Sequence, residues 1–259
     1  MLEALSDLRR SLVSWRLWTL LGWLEIRQRY ARSRVGPFWL TISMSVIIGT
    51  IGIVYGTLFG QTMSDYLPYL AASLVLWGLF SGIVTEGSTA YISNSAYIRQ
   101  VATSRLIYIL QVTWRNVVIF THNAAIIVLL LAIFGVQRWD TLPLFLPGLL
   151  LLVVNATWVG IVTALVSARF RDFPQIVASI VQMAFYLTPI MYKAELLTKY
   201  SFITTYNPML YLLDVARMPL LGQVPSTRTY VVTIILALAG WTFALWLTGR
   251  YSKRIPYWI

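Results

Sequence analysis

Charge-free stretches divide this chain of 259 residues more sharply than any motif does. Six windows of at least 20 residues contain no Asp, Glu, Lys or Arg: Val35–Ser64, Tyr66–Thr85, Asn116–Gln137, Thr141–Ala168, Phe173–Tyr192 and Thr229–Gly249. A bilayer core about 30 Å thick is crossed by about 20 predominantly apolar helical residues. The pattern therefore predicts six transmembrane helices. In the first window Pro37 suits an opening helical turn, where its missing N–H would be unpaired anyway and its fixed φ already fits. A β-barrel would show segments of about 10 residues in strict alternation, which these unbroken runs are not. The fold class expected is an all-α polytopic integral membrane protein. It reads as one domain over 1–259, with a cytoplasmic interface segment at 1–34 and a six-helix membrane domain at 35–259.

The segments between the windows carry the polar chemistry. Leu5, Leu8, Leu12 and Trp15 recur at spacings of three and four, with Trp18 and Trp23 following and arginines between them. That is the pattern of an amphipathic helix lying in the membrane interface. Arg27, Arg29, Arg32 and Arg34 would fall on more than one face of a helix. They read either as an anchor to anionic lipid or as a guanidinium cluster receiving a phosphate headgroup. Asp65 and Pro68 mark a tight outer turn. Glu86, at the inner end of the second window, is expected to pair with an arginine of a neighbouring segment, although intramembrane acids also mark transport paths. Residues 87–106 are small and polar, and predict a loop with its own short helix starting at Ser93–Ser95. Such a loop is either a solvated connector or a docking element for another protein. Arg115 opens the third span, and His122 two turns on reads as a packing residue. Pro189 interrupts the outer end of the fifth span. In Lys193–Arg228 the uncharged run Tyr200–Leu213 is too short to span, and a helical pattern opens at Asn207-Pro208 and stops near Gly222. This segment either dips into the membrane and returns or lies on its outer surface.

Composition narrows the class. Hydrophobic residues make up 58% and charged residues 11% of the chain, against about 25% charged in a soluble domain. The net charge of +11 is explained by topology, since Lys and Arg concentrate in short cytoplasmic loops. With the N-terminus inside, 15 of the 20 basic residues fall on inner segments. Both termini are therefore expected in the cytoplasm, and nucleic acid is not an expected partner. The chain has no cysteine and one histidine, which excludes thiolate zinc, iron–sulfur and His-rich metal sites. The first ten residues carry Glu3, Asp7, Arg9 and Arg10 without an apolar run, so no cleavable signal peptide is expected. No G-x-x-x-x-G-K-[ST] phosphate loop occurs, so ATP hydrolysis by the usual route is excluded for this chain. Nine acids and one histidine offer little to a membrane-embedded enzyme. A secondary transporter would show intramembrane charges and paired broken helices.

Five stretches carry a family resemblance: LEIRQRYARSRVGPFWL at 24–40, YGTLFG at 55–60, SARFRDFPQI at 167–176, FYLTPIMY at 185–192 and YNPMLYLLDVARMPLLG at 206–222. In their order and with the six-window layout, the chain resembles the membrane subunits of ABC-2 type exporters, specifically those of lipid-linked O-antigen or capsular polysaccharide. The resemblance implies an ABC-2 transmembrane domain in a bacterial inner membrane and a homodimer with the translocation path at its interface. It also implies two separate ATPase subunits that bind ATP and Mg, no cofactor in this chain, and a re-entrant helical segment between the fifth and sixth spans. An ABC-2 exporter of teichoic-acid-type polymer or of a small amphiphile would share most of these motifs; an enzyme or secondary transporter is the alternative of another class. Under the exporter reading, Arg27, Arg29, Arg32 and Arg34 are candidates for binding the lipid diphosphate. Tyr55, Phe59, Phe185, Tyr186 and Tyr192 are candidates for lining a path for sugar rings. The loop Tyr91–Arg105, with Tyr91, Tyr97 and Ile98 as its apolar side and Arg99 and Arg105 at the rim, is the candidate coupling element to the ATPase.

Overall fold

A computed structural model describes residues 2–30, 36, 38–101, 103–135, 138–195 and 201–259. Among these residues there is no strand. The helices are α1 (Leu2–Val13), α2 (Trp15–Tyr30), α3 (Phe38–Leu58), α4 (Met63–Ser93), α5 (Ser95–Gln100), α6 (Leu106–Phe134), α7 (Phe145–Arg169, entered through a 3₁₀ turn at Trp139–Leu144), α8 (Phe173–Leu187), α9 (Ser201–Tyr206), α10 (Pro208–Leu220), α11 (Thr227–Tyr251) and α12 (Ile255–Trp258). Five of them, α3, α4, α6, α7 and α11, are long and apolar enough to cross a membrane.

The fifth window behaves differently. Its helix α8 has 15 residues, which at 1.5 Å each span only about 22 Å. It stops at Leu187 because Thr188 adopts an extended conformation, with ψ of 135°. The residue before a proline is driven out of the helical region by the ring, and Pro189 follows. In the next segment α10 starts where the sequence places it. The Asn207 side chain accepts a hydrogen bond from the Met209 amide at 2.9 Å, Pro208 occupies the first turn, and the chain leaves at Gly222 with φ of 72°, a left-handed value that favours glycine.

The bundle is built around α4, which packs against α3, α6, α7, α8 and α10. Leu70, Ala71, Ala72, Leu76 and Ile83 are all fully enclosed, as expected of a helix that is apolar on every side and has neighbours on every side. α7 and α10 approach so closely at Gly148 that a Cβ there would lie 2.1 Å from the Val215 carbonyl. Small residues at such crossings are how helices associate where lipid removes the hydrophobic drive between them.

Four expectations need correction. First, α4 does not stop near Thr85 but continues through Gly87, Ser88, Ala90 and Tyr91, all buried. The small residues read as loop are instead a packing surface, and a Cβ on Gly87 would sit 3.2 Å from the Gly160 Cα of α7. Second, the third span starts at Leu106, and Arg115 lies well inside α6; its charge is matched within the fold, as described below. Third, residues 2–30 form two helices, not one, and neither lies free of the bundle. α1 packs on α11 and α6, and α2 on α6. Their outward faces, including Leu12, Trp15, Leu20 and Trp23, stay exposed. Fourth, Asp65 and Pro68 are not a loop but the first turns of α4, where Asp65 accepts from Thr62 Oγ1 at 2.9 Å.

Candidate functional site

Contacts sort the polar groups to two ends of the bundle. At one end, which carries α1, α5 and α12, Lys253 pairs with Glu3 at 2.9 Å, Ser11 bonds Ser104, and Arg99 donates to the Ile259 carbonyl. Just inside this end a charged cluster joins three helices. Arg115 of α6 pairs with Glu25 of α2 and, at 2.7 Å, with Glu86 of α4. Gln111 donates to Glu25 at 2.6 Å and Asn116 to Glu86 at 2.7 Å. The expected arginine partner of Glu86 is thus Arg115. Nearby, α2 meets α6 with no slack, because a Cβ on Gly22 would lie 3.0 Å from the Gln111 carbonyl and 3.1 Å from the Trp114 ring.

The candidate coupling loop lies beside this cluster. Its short helix is α5, as the sequence places it, but its apolar side is divided. Tyr91 and Ile98 turn inward and join the core with Leu106, Ala164, Ile255 and Ile259. Tyr97, 64% exposed, and Val101 face outward. A docking surface containing Tyr91 and Ile98 is therefore corrected: Tyr91 belongs to the buried face of α4, and Ile98 packs α5 into the same core. Arg105 is half-buried and Arg99 exposed. Tyr97 and Val101 also line a cleft of about 490 Å³, bounded on its other side by Leu17, Leu21 and Leu24 of α2.

Arg27 is exposed near the end of α2. The side chain of Arg29, and Arg32 and Arg34 entirely, lie outside the described residues.

The candidate aromatics fall into two groups on different neighbours of α4. Tyr55, near the end of α3, and Phe59, just past it, pack with their rings tilted at 46° and ring centres 5.6 Å apart. On α8, Phe185 contacts Trp77 of α4 at 5.8 Å and Tyr186 at 5.4 Å. Phe185 is thus partly covered, whereas Tyr186 is 63% exposed. The Tyr192 hydroxyl donates to the Tyr186 carbonyl at 3.2 Å, which keeps it with the α8 group. His122 acts locally, its Nδ1 lying 2.8 Å from the Val118 carbonyl one turn back.

Along α3 the exposed residues Ile42, Val46 and Ile53 follow with Gly49 at spacings of four, three and four, which places them on one stripe. On α8 the exposed residues are Ile176, Ile180, Met183, Tyr186 and Leu187. In a membrane each stripe faces lipid or another protein.

The profile of the ABC-2 type transporter family matches residues 16–221. The chain belongs to the ABC-2 type transporter family. Together with its long apolar helices, this makes it a multi-pass membrane permease. It is 23% identical over 239 residues to the O-antigen export system permease protein RfbA of Klebsiella pneumoniae, covering 88% of this chain and 91% of that relative. A second RfbA of Klebsiella pneumoniae is 22% identical over 71% of the permease and 72% of the relative. The RfbA of Myxococcus xanthus is 21% identical over 73% and 74%.

Sequence reasoning missed the partners of the buried charges. Glu25 was visible only as part of a family motif, and its contact with Arg115 joins residues 90 positions apart. Arg217 was visible only as a basic residue of the segment after the fifth span, yet it is 3% exposed. A charge in an apolar helix flanked by Asp214 three residues before was the available signal.

Proposed function

We propose that this permease is the channel-forming subunit of an ATP-driven exporter that moves lipid-linked polysaccharide, of O-antigen or capsule type, across a bacterial inner membrane. The observation that carries the reading is the similarity to permeases named for O-antigen export along about nine-tenths of both chains in one case. Two chains would associate through the α3 stripe, with α8 as the sixth crossing and α9–α10 as a re-entrant pair. The aromatic groups of α3 and α8 would then border the path. Flat rings give a sliding polymer weak contacts with the C–H faces of its sugars, without fixing one register. Arg27, Arg29, Arg32 and Arg34 would receive the lipid diphosphate, which guanidinium binds bidentately. Two copies of a cytoplasmic ATPase, holding ATP and Mg, would dock at the end that carries both termini, with Tyr97 and Val101 as the apolar contact and Arg99 at its rim.

Deleting the gene tests this reading directly. Lipid-linked polysaccharide should accumulate inside the cell and disappear from its surface, and the wild-type chain should restore it. In the same strain Tyr55→Ala with Phe59→Ala should cut surface polymer severalfold without reducing the amount of permease. Normal surface polysaccharide in the deletion strain, with loss of a teichoic-acid-type polymer or of a small amphiphile instead, would assign the permease to that cargo.

A further inference from the structure

Where α8 breaks, the carbonyls of Leu187, Pro189, Met191 and Tyr192 receive side-chain donors. Asn207 donates to the Leu187 carbonyl at 3.2 Å. Tyr66 donates to the Met191 carbonyl. The Tyr69 hydroxyl lies 2.8 Å from the Pro189 carbonyl and 2.9 Å from that of Tyr192, so its one proton can serve either. The centre of the arrangement is Arg217 of α10. Its Nη1 lies 2.7 Å from the Pro189 carbonyl, 2.9 Å from Ser73 Oγ and 3.0 Å from Tyr69 Oη. Its Nε donates to Asp214 at 2.9 Å, and Nη2 donates to the same carboxylate. The guanidinium also sits over the Tyr69 ring, 4.6 Å from its centre. Irregular backbone at membrane depth is tolerated only where something other than water satisfies it. Here α4 and α10 supply the missing donors.

We propose that Arg217 is a positioning residue of the transport path: it pins the break after α8 to α4, and thereby fixes the Tyr186 and Tyr192 rings on either side of that break. Only the guanidinium suits the place. Its five donors in a rigid plane can reach the Asp214 carboxylate on one edge and Pro189, Ser73 and Tyr69 on the other, whereas a lysine ammonium is a single point with three donors. The pin itself stands on the contacts alone; the words "transport path" rest on the export reading.

The absence of cysteine from the chain gives a clean test. Ile190, within the pinned segment, and Ala164, on α7, are both fully enclosed. Single substitutions Ile190→Cys and Ala164→Cys in the purified permease should both resist a soluble maleimide. Adding Arg217→Met should speed labelling at Ile190→Cys by about tenfold or more, as expected for losing a charged hydrogen-bond centre, and leave Ala164→Cys shielded. Arg217→Lys should lie between. Surface polysaccharide should fall in the same order, Met below Lys below Arg. Continued shielding of Ile190→Cys overturns the pin, and an equal rise at Ala164→Cys shows general loosening and overturns it too. If the Arg217→Met chain does not accumulate, Tyr69→Phe decides. That variant keeps the ion pair and removes one hydroxyl, and unchanged labelling then overturns the proposal. Faster labelling with normal export shows a pin that positions nothing. Should the chain carry no polysaccharide at all, the export reading fails while the labelling result still stands.

Discussion

α3 and α4 are consecutive helices of nearly equal mean hydropathy, yet 11% of the most apolar stretch of α3 is buried and 78% of that of α4. Hydropathy measures whether a helix can leave water; it does not say what covers it afterwards. The distinction comes from small residues at close crossings. On α4, Gly82 faces Asn116 of α6 and Gly87 faces Gly160 of α7, whereas a Cβ on Gly49 of α3 would meet nothing within 4 Å. α4 is therefore finished by its own chain, and the stripe of α3 is left for lipid or for a second copy.

The largest effect separating the two helices should come from core truncation. Leu76→Ala on α4, at a fully enclosed site, should cost about 2–5 kcal/mol, while Val46→Ala on α3 should stay within about 0.5 kcal/mol. Thermal unfolding of the detergent-purified permease reads both, and equal losses would mean that α3 is buried in the single chain after all. A bulky residue on the α3 stripe should act on association instead. Under the dimeric arrangement proposed above, Gly49→Trp should convert dimer to monomer in size-exclusion chromatography with light scattering and leave the melting of the monomer unchanged; an unaltered dimer would move the interface off this stripe. The smallest effect should have opposite signs on the two helices. Gly49→Ala should stabilise by up to about 1 kcal/mol through helix propensity. Gly82→Ala should destabilise, because its Cβ would lie 2.2 Å from Asn116 Oδ1 and displace the amide that donates to Glu86.

The same contrast explains what the sequence made legible. The all-helical class and the turn into α10 at Asn207-Pro208 follow from local chemistry: charge-free length, a capping side chain, a proline in a first turn. The short helix after Asn94 falls where the sequence places it, but the Asn94 side chain donates back to the Ala90 carbonyl and does not cap it. What failed to show were pairings between distant segments. Arg115 looked like the end of a span because its two carboxylates, Glu25 and Glu86, lie on other helices. Gly87 and Ser88 looked like loop because a packing surface of small residues has the composition of a polar connector. Ile98 looked like part of an outward apolar face because periodicity cannot tell which side of a short helix its own fold will cover, and Tyr91 did so because α4 runs on past the expected start of the loop. The two aromatic groups were visible as residues, but their separation across α4 was not.

The uninterrupted course of α4 has a mechanical meaning. It carries Glu86, tied through Arg115 to α2, and about five turns away it carries Tyr69, tied to Arg217 and the break after α8. A helix without a hinge between two such ties acts as a strut, about 26 Å long between them at 1.5 Å per residue. Axial displacement imposed on one tie is delivered to the other with little loss. The end that holds both termini and the end that holds the broken helix are therefore two ends of one lever, and no separate relay of side chains is required between them.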